Sequence, residues 1–300
     1  GVIGALSLAF NTTYWANAIE AEVYGVSMVF LTAIMWLAMR WQERADNEGN
    51  EKYIVFIAYM IGLSLGVHLL ALLTIFPVLM IVYFKKYEFS LNSFVKFSLI
   101  AAGAFFVVYP GIVKILPGMM DGDWNGTKSD VIAYLPWIII ALVCYFVYDS
   151  YQKKRKMLHI ALVSVVLIFL GYTTYTGVLI RSNANPPMNE NDPSNLARLT
   201  SYLGREQYGN SPLVMPRRWS QEPHQQGIYT KYSSDMDYMM RYQLNHMFFR
   251  YLGWNYIGSA GDEPDAGVDW KDTLGIPFLL GLFGLWYQIK KDWKMGLVFI

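Results

Sequence analysis

Six stretches of this sequence are long, apolar and free of Asp, Glu, Lys and Arg, and they restrict the possible folds more than any other feature. A membrane-spanning helix needs about 20 such residues. Only 16% of the 300 residues are charged, whereas soluble domains carry about 25%. The sequence therefore predicts an all-α polytopic membrane protein. The six stretches are residues 23–39, 53–84, 97–113, 131–148, 157–180 and 273–289.

Composition also excludes several classes of protein. A net charge of +1 leaves no excess of basic residues for a nucleic-acid-binding surface, so we expect no nucleic-acid partner. The single cysteine, Cys144, excludes a framework of internal disulfides or a cysteine metal cluster. The lipid bilayer is the partner that this composition predicts.

The stretch at residues 53–84 is too long for one crossing of the membrane. It contains Gly62, Gly66 and His68 near its middle. We therefore predict two short helices joined by a tight turn at residues 66–69, rather than one long tilted helix.

Basic residues predict the orientation, because cytoplasmic loops of membrane proteins are enriched in Lys and Arg. If residues 1–10 form the tail of a helix that runs outward, thirteen basic residues fall inside and only Lys114 and Lys128 fall in the short outer loops. The thirteen are Arg40, Arg44, Lys52, Lys85, Lys86, Lys96, Lys153, Lys154, Arg155, Lys156, Lys290, Lys291 and Lys294.

This orientation predicts three regions. Residues 1–180 form transmembrane helices in a chain that we expect to be an excerpt of a longer protein. Residues 181–272 form an extracytoplasmic, α-rich segment, and residues 273–300 form a transmembrane helix and the start of the next. Within the outer segment, apolar periodicity predicts a helix at 193–208, capped by Asp192 or Ser194, and another at 235–252.

Ionisable residues near the membrane are candidates for function, because they are costly to place there. Glu20 and Glu22 flank the outer mouth of the predicted bundle, and either carboxylate is able to act as a base or metal ligand. Their alternative is a solvated interfacial helix, which Glu22 fits less well because it directly precedes an apolar run. Asp121 and Asp123 resemble a calcium loop only in part, so we interpret them as an ordinary polar loop.

Three further candidates are polar groups suited to a phosphate. A neutral His68 at the turn has a donor for a phosphate oxygen or a nitrogen for a metal; the alternative is a structural histidine bonded to a backbone carbonyl. Arg198 and Arg205 are seven residues apart and share a helix face, where they suit a lipid phosphate or, alternatively, form local ion pairs. Glu206 follows Arg205 directly.

Five motifs together give a more specific indication than any one of them. The motifs are NTTYWANAIEAEVY at residues 11–24, GLSLGVHLL at 62–70, NPPMNENDP at 185–193, YLGREQYG at 202–209 with the following SPL at 211–213, and NHMFFRYLGWN at 245–255. Together they resemble a bacterial family of multispanning membrane proteins that is related to protein O-mannosyltransferases, and the resemblance covers nearly the whole chain.

The resemblance implies a GT-C glycosyltransferase, a transmembrane helix bundle whose active site faces away from the cytoplasm. Such an enzyme moves a sugar from a polyprenyl-phosphate donor to Ser or Thr of a protein acceptor. The main catalytic acid is expected upstream of this chain, so the catalytic residue that carries over is Glu22. His68 carries over as substrate-binding, and Arg205 and Glu206 as positions of a motif. No cofactor is certain, and participation of a divalent metal ion stays open.

Two other functions remain open at the level of sequence. A transporter or flippase of a lipid-linked substrate also uses broken helices and polar groups within the membrane, although no inverted repeat is evident. A membrane scaffold whose outer segment binds partners is the third alternative. The closeness of the motifs to bacterial proteins favours a bacterial inner membrane as the location.

Overall fold

A computed structural model describes residues 2–20, 23–124, 126–204, 227, 231–261, 263 and 265–299. The chain divides into two compact units. Residues 23–207 form one, which we call the bundle unit. Residues 1–22 and 208–298 form the other, which we call the second unit.

Helices account for most of the described chain. The described chain also has two short 3₁₀ segments, Leu69–Thr74 and Thr173–Tyr175, and a π-helix, Val107–Ile115. The strands β1 (Asp123–Trp124) and β2 (Thr127–Lys128) form a small antiparallel hairpin. The first eleven α-helices are α1 (Val2–Ala9), α2 (Thr12–Ile19), α3 (Tyr24–Arg44), α4 (Glu51–Leu65), α5 (Ile75–Lys86), α6 (Leu91–Phe106), α7 (Leu116–Met120), α8 (Asp130–Gln152), α9 (Lys156–Tyr172), α10 (Thr176–Asn183) and α11 (Leu196–Gly204).

The second unit contains α1 and α2 together with helices from the last part of the chain. These further described helices are Asp235–Asp237, a π-helix at Tyr238–Phe249, Arg250–Tyr256, Trp270–Thr273, Ile276–Lys291 and Trp293–Phe299.

Five helical segments of the described chain are long and apolar enough to cross a membrane: Tyr24–Arg44, Leu69–Lys86, Leu91–Met120, Asp130–Gln152 and Lys156–Asn183. They confirm the prediction of an all-α polytopic membrane protein.

The sixth predicted stretch, at residues 273–289, forms the helix Ile276–Lys291. It has 16 residues and is therefore about 24 Å long, against about 30 Å for the hydrocarbon core of a bilayer. The boundaries of the three predicted regions were drawn from hydropathy, whereas the two units are defined by contacts between residues. The structure therefore does not test the boundaries of the three regions, and they stay a prediction.

The predicted break near His68 is confirmed. α4 ends at Leu65, and the next helical segment begins at Leu69 after a tight turn. The far end of α5 returns to the loop between α3 and α4, where the Lys86 ammonium donates to the Ala45 carbonyl at 3.0 Å and Lys85 lies 2.8 Å from Asp46. α4 and α5 therefore run in opposite directions between the same two ends, and α5 packs against α3 and α6.

α4 and α9 run parallel and in close contact. An ion pair between Glu51 and Lys156 joins their first residues. Toward the last residues of the two helices, Gly62 and Gly171 face the partner backbone with no room for a Cβ atom. Small residues allow this approach of two membrane helices.

These contacts give the bundle unit two distinct ends. Loops with Lys and Arg meet at one end, which we call the basic end and which comprises residues 40–52, 85–90 and 152–156. The turn at residues 66–68, the hairpin of β1 and β2, and the segment from 173 to 195 lie at the other, which we call the opposite end. This grouping of loops matches the predicted alternation within the bundle unit.

The helix predicted at 193–208 begins three residues later in the structure. α11 begins at Leu196, and the amide of Arg198 donates to the Asn195 side chain at 2.9 Å. The predicted capping residues, Asp192 and Ser194, were therefore wrong. Asp192 adopts a left-handed conformation with φ of 40°, which places it in the loop before the helix.

Candidate functional site at the opposite end of the bundle unit

His68 occupies the turn between α4 and the 3₁₀ segment that leads into α5. Its extended backbone caps the 3₁₀ segment, and its Nδ1 accepts a hydrogen bond from the Leu70 amide at 3.1 Å. A ring nitrogen that accepts is unprotonated, so the neutral imidazole carries its proton on Nε2. The alternative interpretation of His68 expected a hydrogen bond to a backbone carbonyl, whereas the bond observed is from a backbone N–H. This bond uses Nδ1 and leaves Nε2–H as the hydrogen-bond donor of the ring.

The His68 ring also contacts the beginning of α3. Its centroid lies 5.8 Å from that of the Tyr24 ring. Next to it, Gly66 faces the Thr174 hydroxyl, which would lie 3.0 Å from an added Cβ atom. The turn is therefore packed against both α3 and the segment that follows α9.

The cap predicts a difference between two substitutions of His68. His68→Ala removes the acceptor of the Leu70 amide and is expected to lower the free energy of unfolding by about 1 kcal/mol. His68→Asn supplies another acceptor and is expected to stay close to wild type. Unfolding by dodecyl sulfate in mixed micelles measures both. Equal losses in the two variants would show that the ring contact with Tyr24, rather than the cap, stabilises the turn.

Arg198 lies near the start of α11, where it holds the preceding loop. Its guanidinium forms an ion pair with Asp192 and lies 3.2 Å from the Ser194 hydroxyl. Ser182 at the end of α10 donates to Asn189 and Asp192 at 2.9 and 3.2 Å. The local ion pair that was the alternative for Arg198 is thus present, while its role in binding substrate stays a prediction.

The other predicted site residues, Glu22, Arg205 and Glu206, lie outside the described residues. Glu20 is described and exposed. It ends α2 in an extended conformation, and its amide donates to the Ala16 carbonyl at 3.2 Å.

A cavity of about 620 Å³ opens at the opposite end. The π-helix and α7 form one wall and the hairpin of β1 and β2 forms a second. The third wall is α11. Its lining residues are Pro110, Lys114, Ile115, Gly118, Asp121, Asp123, Trp124, Gly126, Ala197, Thr200 and Ser201. This volume is in the range of small-molecule sites.

The tight turn between β1 and β2 positions the two acidic residues of the cavity, Asp121 and Asp123. Asp123 accepts from the Gly126 amide at 2.8 Å, and Gly126 has a φ of 81°, which glycine adopts without strain. Asp121 lies 3.5 Å from the Lys128 ammonium. Both carboxylates are therefore held by the loop that sequence analysis interpreted as an ordinary polar loop.

The cavity combines three kinds of group that suit a polyhydroxylated ligand. Carboxylates such as Asp123 accept hydrogen bonds from hydroxyls, and Lys114 donates them. Trp124, which is 46% exposed, offers an aromatic face. Among the described residues, no group of three or more His, Cys, Asp and Glu is arranged to hold a metal ion.

Sequence reasoning missed this cavity because its walls come from segments up to 91 residues apart, between Pro110 and Ser201. The available signal was the turn sequence DGDWNG at residues 121–126, which places a tryptophan between glycines and acids. A single sequence does not indicate that α11 packs against α7 and lines the same cavity as this turn.

Comparison with known protein families gives a match at the beginning of the chain. No solved structure matches this protein. The matched segment contains the first two of the five motifs, and these two motifs include Glu22 and His68. Residues 1–91 match the family described as the protein O-mannosyl-transferase TMEM260 N-terminal domain.

Proposed function

We propose that this protein is a membrane glycosyltransferase of GT-C type that moves a mannose-like sugar from a polyprenyl-phosphate carrier to Ser or Thr of a protein acceptor. The observation that carries the proposal is the match of residues 1–91 to a protein O-mannosyltransferase family. The motifs that follow residue 91 resemble the same group and extend the proposal to the remaining chain.

The reaction takes place at the opposite end, on the extracytoplasmic side. Lys and Arg are enriched in cytoplasmic loops, and in the bundle unit they meet at the basic end. This supports a basic end that faces the cytoplasm and an opposite end that faces away from it. The membrane is the inner membrane of a bacterium, which the resemblance to bacterial proteins favours.

The reaction is an inverting displacement at the anomeric carbon. The acceptor hydroxyl oxygen forms a bond to this carbon as the bond to the carrier phosphate breaks, and the electron pair of that bond leaves with the phosphate oxygen. Glu22 removes the hydroxyl proton as general base. Donors to the leaving phosphate stabilise its developing charge, and Nε2–H of His68 is suited to this role.

The remaining predicted residues bind the substrate. Arg198, Arg205 and Glu206 belong to the segment that follows the bundle helices, and Arg198 exchanges Asp192 for a phosphate oxygen when the donor binds. The cavity beside α11 has the carboxylates and the tryptophan face that a sugar or a Ser/Thr acceptor needs. Residues for a divalent metal are not proposed.

Transport of a lipid-linked substrate is the alternative, and the position of the helix break weighs against it. Transporter sites lie near the middle of the membrane, where helices are interrupted. Here the interruption after Leu65 is the turn at residues 66–68, which lies at the opposite end of the bundle unit.

The proposal is tested by transfer in sealed membrane vesicles that contain the full-length protein. The vesicles receive radiolabelled polyprenyl-phosphate mannose and a Ser/Thr-rich peptide. We expect labelled peptide from which alkali releases the sugar, and only when the peptide is supplied to the extracytoplasmic face. Absence of transfer with every polyprenyl-phosphate sugar offered, together with movement of the lipid between leaflets, would replace the enzyme by the transporter.

A further inference from the structure

The second unit contains a cavity that the proposed function does not use. It has a volume of about 530 Å³ and lies beside the π-helix Tyr238–Phe249. Three permanently basic side chains line it, Lys231, Arg241 and Arg250, against one acid, Asp265. The lining therefore carries a formal charge of +2 when His246 is neutral, from three basic groups less one acid.

The π-helix holds one side of this cavity in a fixed arrangement. Tyr238, Tyr242 and His246 follow each other at intervals of four, and their rings are stacked, with centroids 5.1 and 5.4 Å apart. An α-helix turns through more than a full circle in four residues, whereas the wider π-helix keeps such residues closer to one line. The imidazole of His246 is therefore positioned by the two tyrosine rings beneath it.

Arg250 continues this row and is almost fully buried, with 8% of its surface exposed. Its Nε donates to the His246 carbonyl at 2.9 Å. Its guanidinium lies 4.7 Å from the Trp254 ring centroid and 5.1 Å from that of Tyr251. A guanidinium held in this way loses little conformational freedom when it binds an anion.

A carboxylate of the same unit already lies where these donors converge. Oδ1 of Asp265 is 3.1 Å from Nε2 of His246 and 3.4 Å from Nη1 of Arg250. The Asp265 side chain is 83% exposed, so water screens its attraction to both donors. A more highly charged anion is therefore able to displace it.

Nearby acids do not cancel the positive charge of the cavity. Asp237 faces Arg241 at 3.6 Å, and hydrogen bonds from the amide and hydroxyl of Ser233 are the main cause that keeps its pKa below the usual value. Asp237 is thus ionised near neutral pH. With it, the charge is +1, and it rises to +2 if His246 is protonated.

We infer that this cavity binds a phosphate group in the position now taken by the Asp265 carboxylate. Arginine is suited to phosphate because its planar donors contact two oxygens at once. Arg241 and Arg250 both line the cavity, and Tyr242 and Asn245 add neutral donors. The phosphate belongs either to a small soluble phosphate or to a lipid headgroup, and the inference does not depend on the proposed glycosyl transfer.

The test measures phosphate binding to the purified full-length protein by calorimetry, with three variants. Arg241→Gln changes a side chain that is 69% exposed, so the fold is retained, and we expect about tenfold weaker binding. Asp265→Asn removes the competing carboxylate, and we expect binding to become several-fold tighter. Lys271→Gln removes a positive charge outside the cavity and is the matched control, expected to bind as wild type.

The opposite directions of the first two variants separate a binding site from a purely structural cluster. Loss of affinity in Asp265→Asn, or equal affinity of Arg241→Gln and Lys271→Gln, would overturn the inference. Binding of inorganic phosphate in neutral detergent identifies a soluble phosphate as sufficient. Binding seen only in nanodiscs with phosphatidic acid, and not in phosphatidylcholine alone, identifies a lipid headgroup, and binding in neither arm overturns the site.

Discussion

Glu22→Gln is expected to lower the rate of sugar transfer at least about 10²-fold, since this is the usual contribution of a positioned general base. The amide keeps the shape of the side chain but accepts no proton from the acceptor hydroxyl. Glu22 and His68 both lie in the matched segment 1–91. The measurement is the transfer assay in vesicles, with donor and peptide both saturating.

The matched control is Glu20→Gln, which removes the same charge two residues earlier. Glu20 is exposed at the end of α2, so its replacement is expected to change the rate less than about threefold, within the range of a surface charge. If both variants lose transfer equally, the effect is one of local charge and not of a base. If Glu22→Gln retains the wild-type rate while transfer persists, Glu22 is not the general base.

The membrane architecture could be predicted because it depends on length and charge alone. An apolar stretch of 32 residues from Tyr53 to Phe84 exceeds one crossing, and glycines in its middle indicate where it turns. The structure has that turn between Leu65 and Leu69. Neither inference needs knowledge of which helices are neighbours.

The arrangement of polar groups could not be predicted, because it depends on contacts between distant segments. Asp121 and Asp123 look like an ordinary loop until the structure shows that they line one cavity with residues of α11. The helix expected at 235–252 was found, but most of it is π-helical. A search for apolar residues at the α-helical period does not detect the row of Tyr242, His246 and Arg250 at intervals of four.

Close packing of α4 against α9 predicts a large loss of stability from one added methyl group. In Gly171→Ala the new Cβ atom would lie 2.6 Å from the Leu63 nitrogen and 2.7 Å from the Tyr59 carbonyl oxygen. These are backbone atoms of α4, so no side chain is able to move aside, and the two helices must separate. We expect a loss of about 3 kcal/mol in the free energy of unfolding, at the upper end for overpacked sites.

Gly103→Ala is the control for this prediction, since Gly103 lies inside α6, another membrane-spanning segment, with nothing within 4 Å of an added Cβ. There the change is expected to be neutral or to stabilise by up to about 1 kcal/mol, because alanine favours helix more than glycine does. Unfolding by dodecyl sulfate in mixed micelles gives both values. Equal stability of Gly171→Ala and Gly103→Ala would mean that α4 and α9 do not approach as closely as Gly62 and Gly171 allow. The parallel pair, and with it the separation of the basic end from the opposite end, would then need revision.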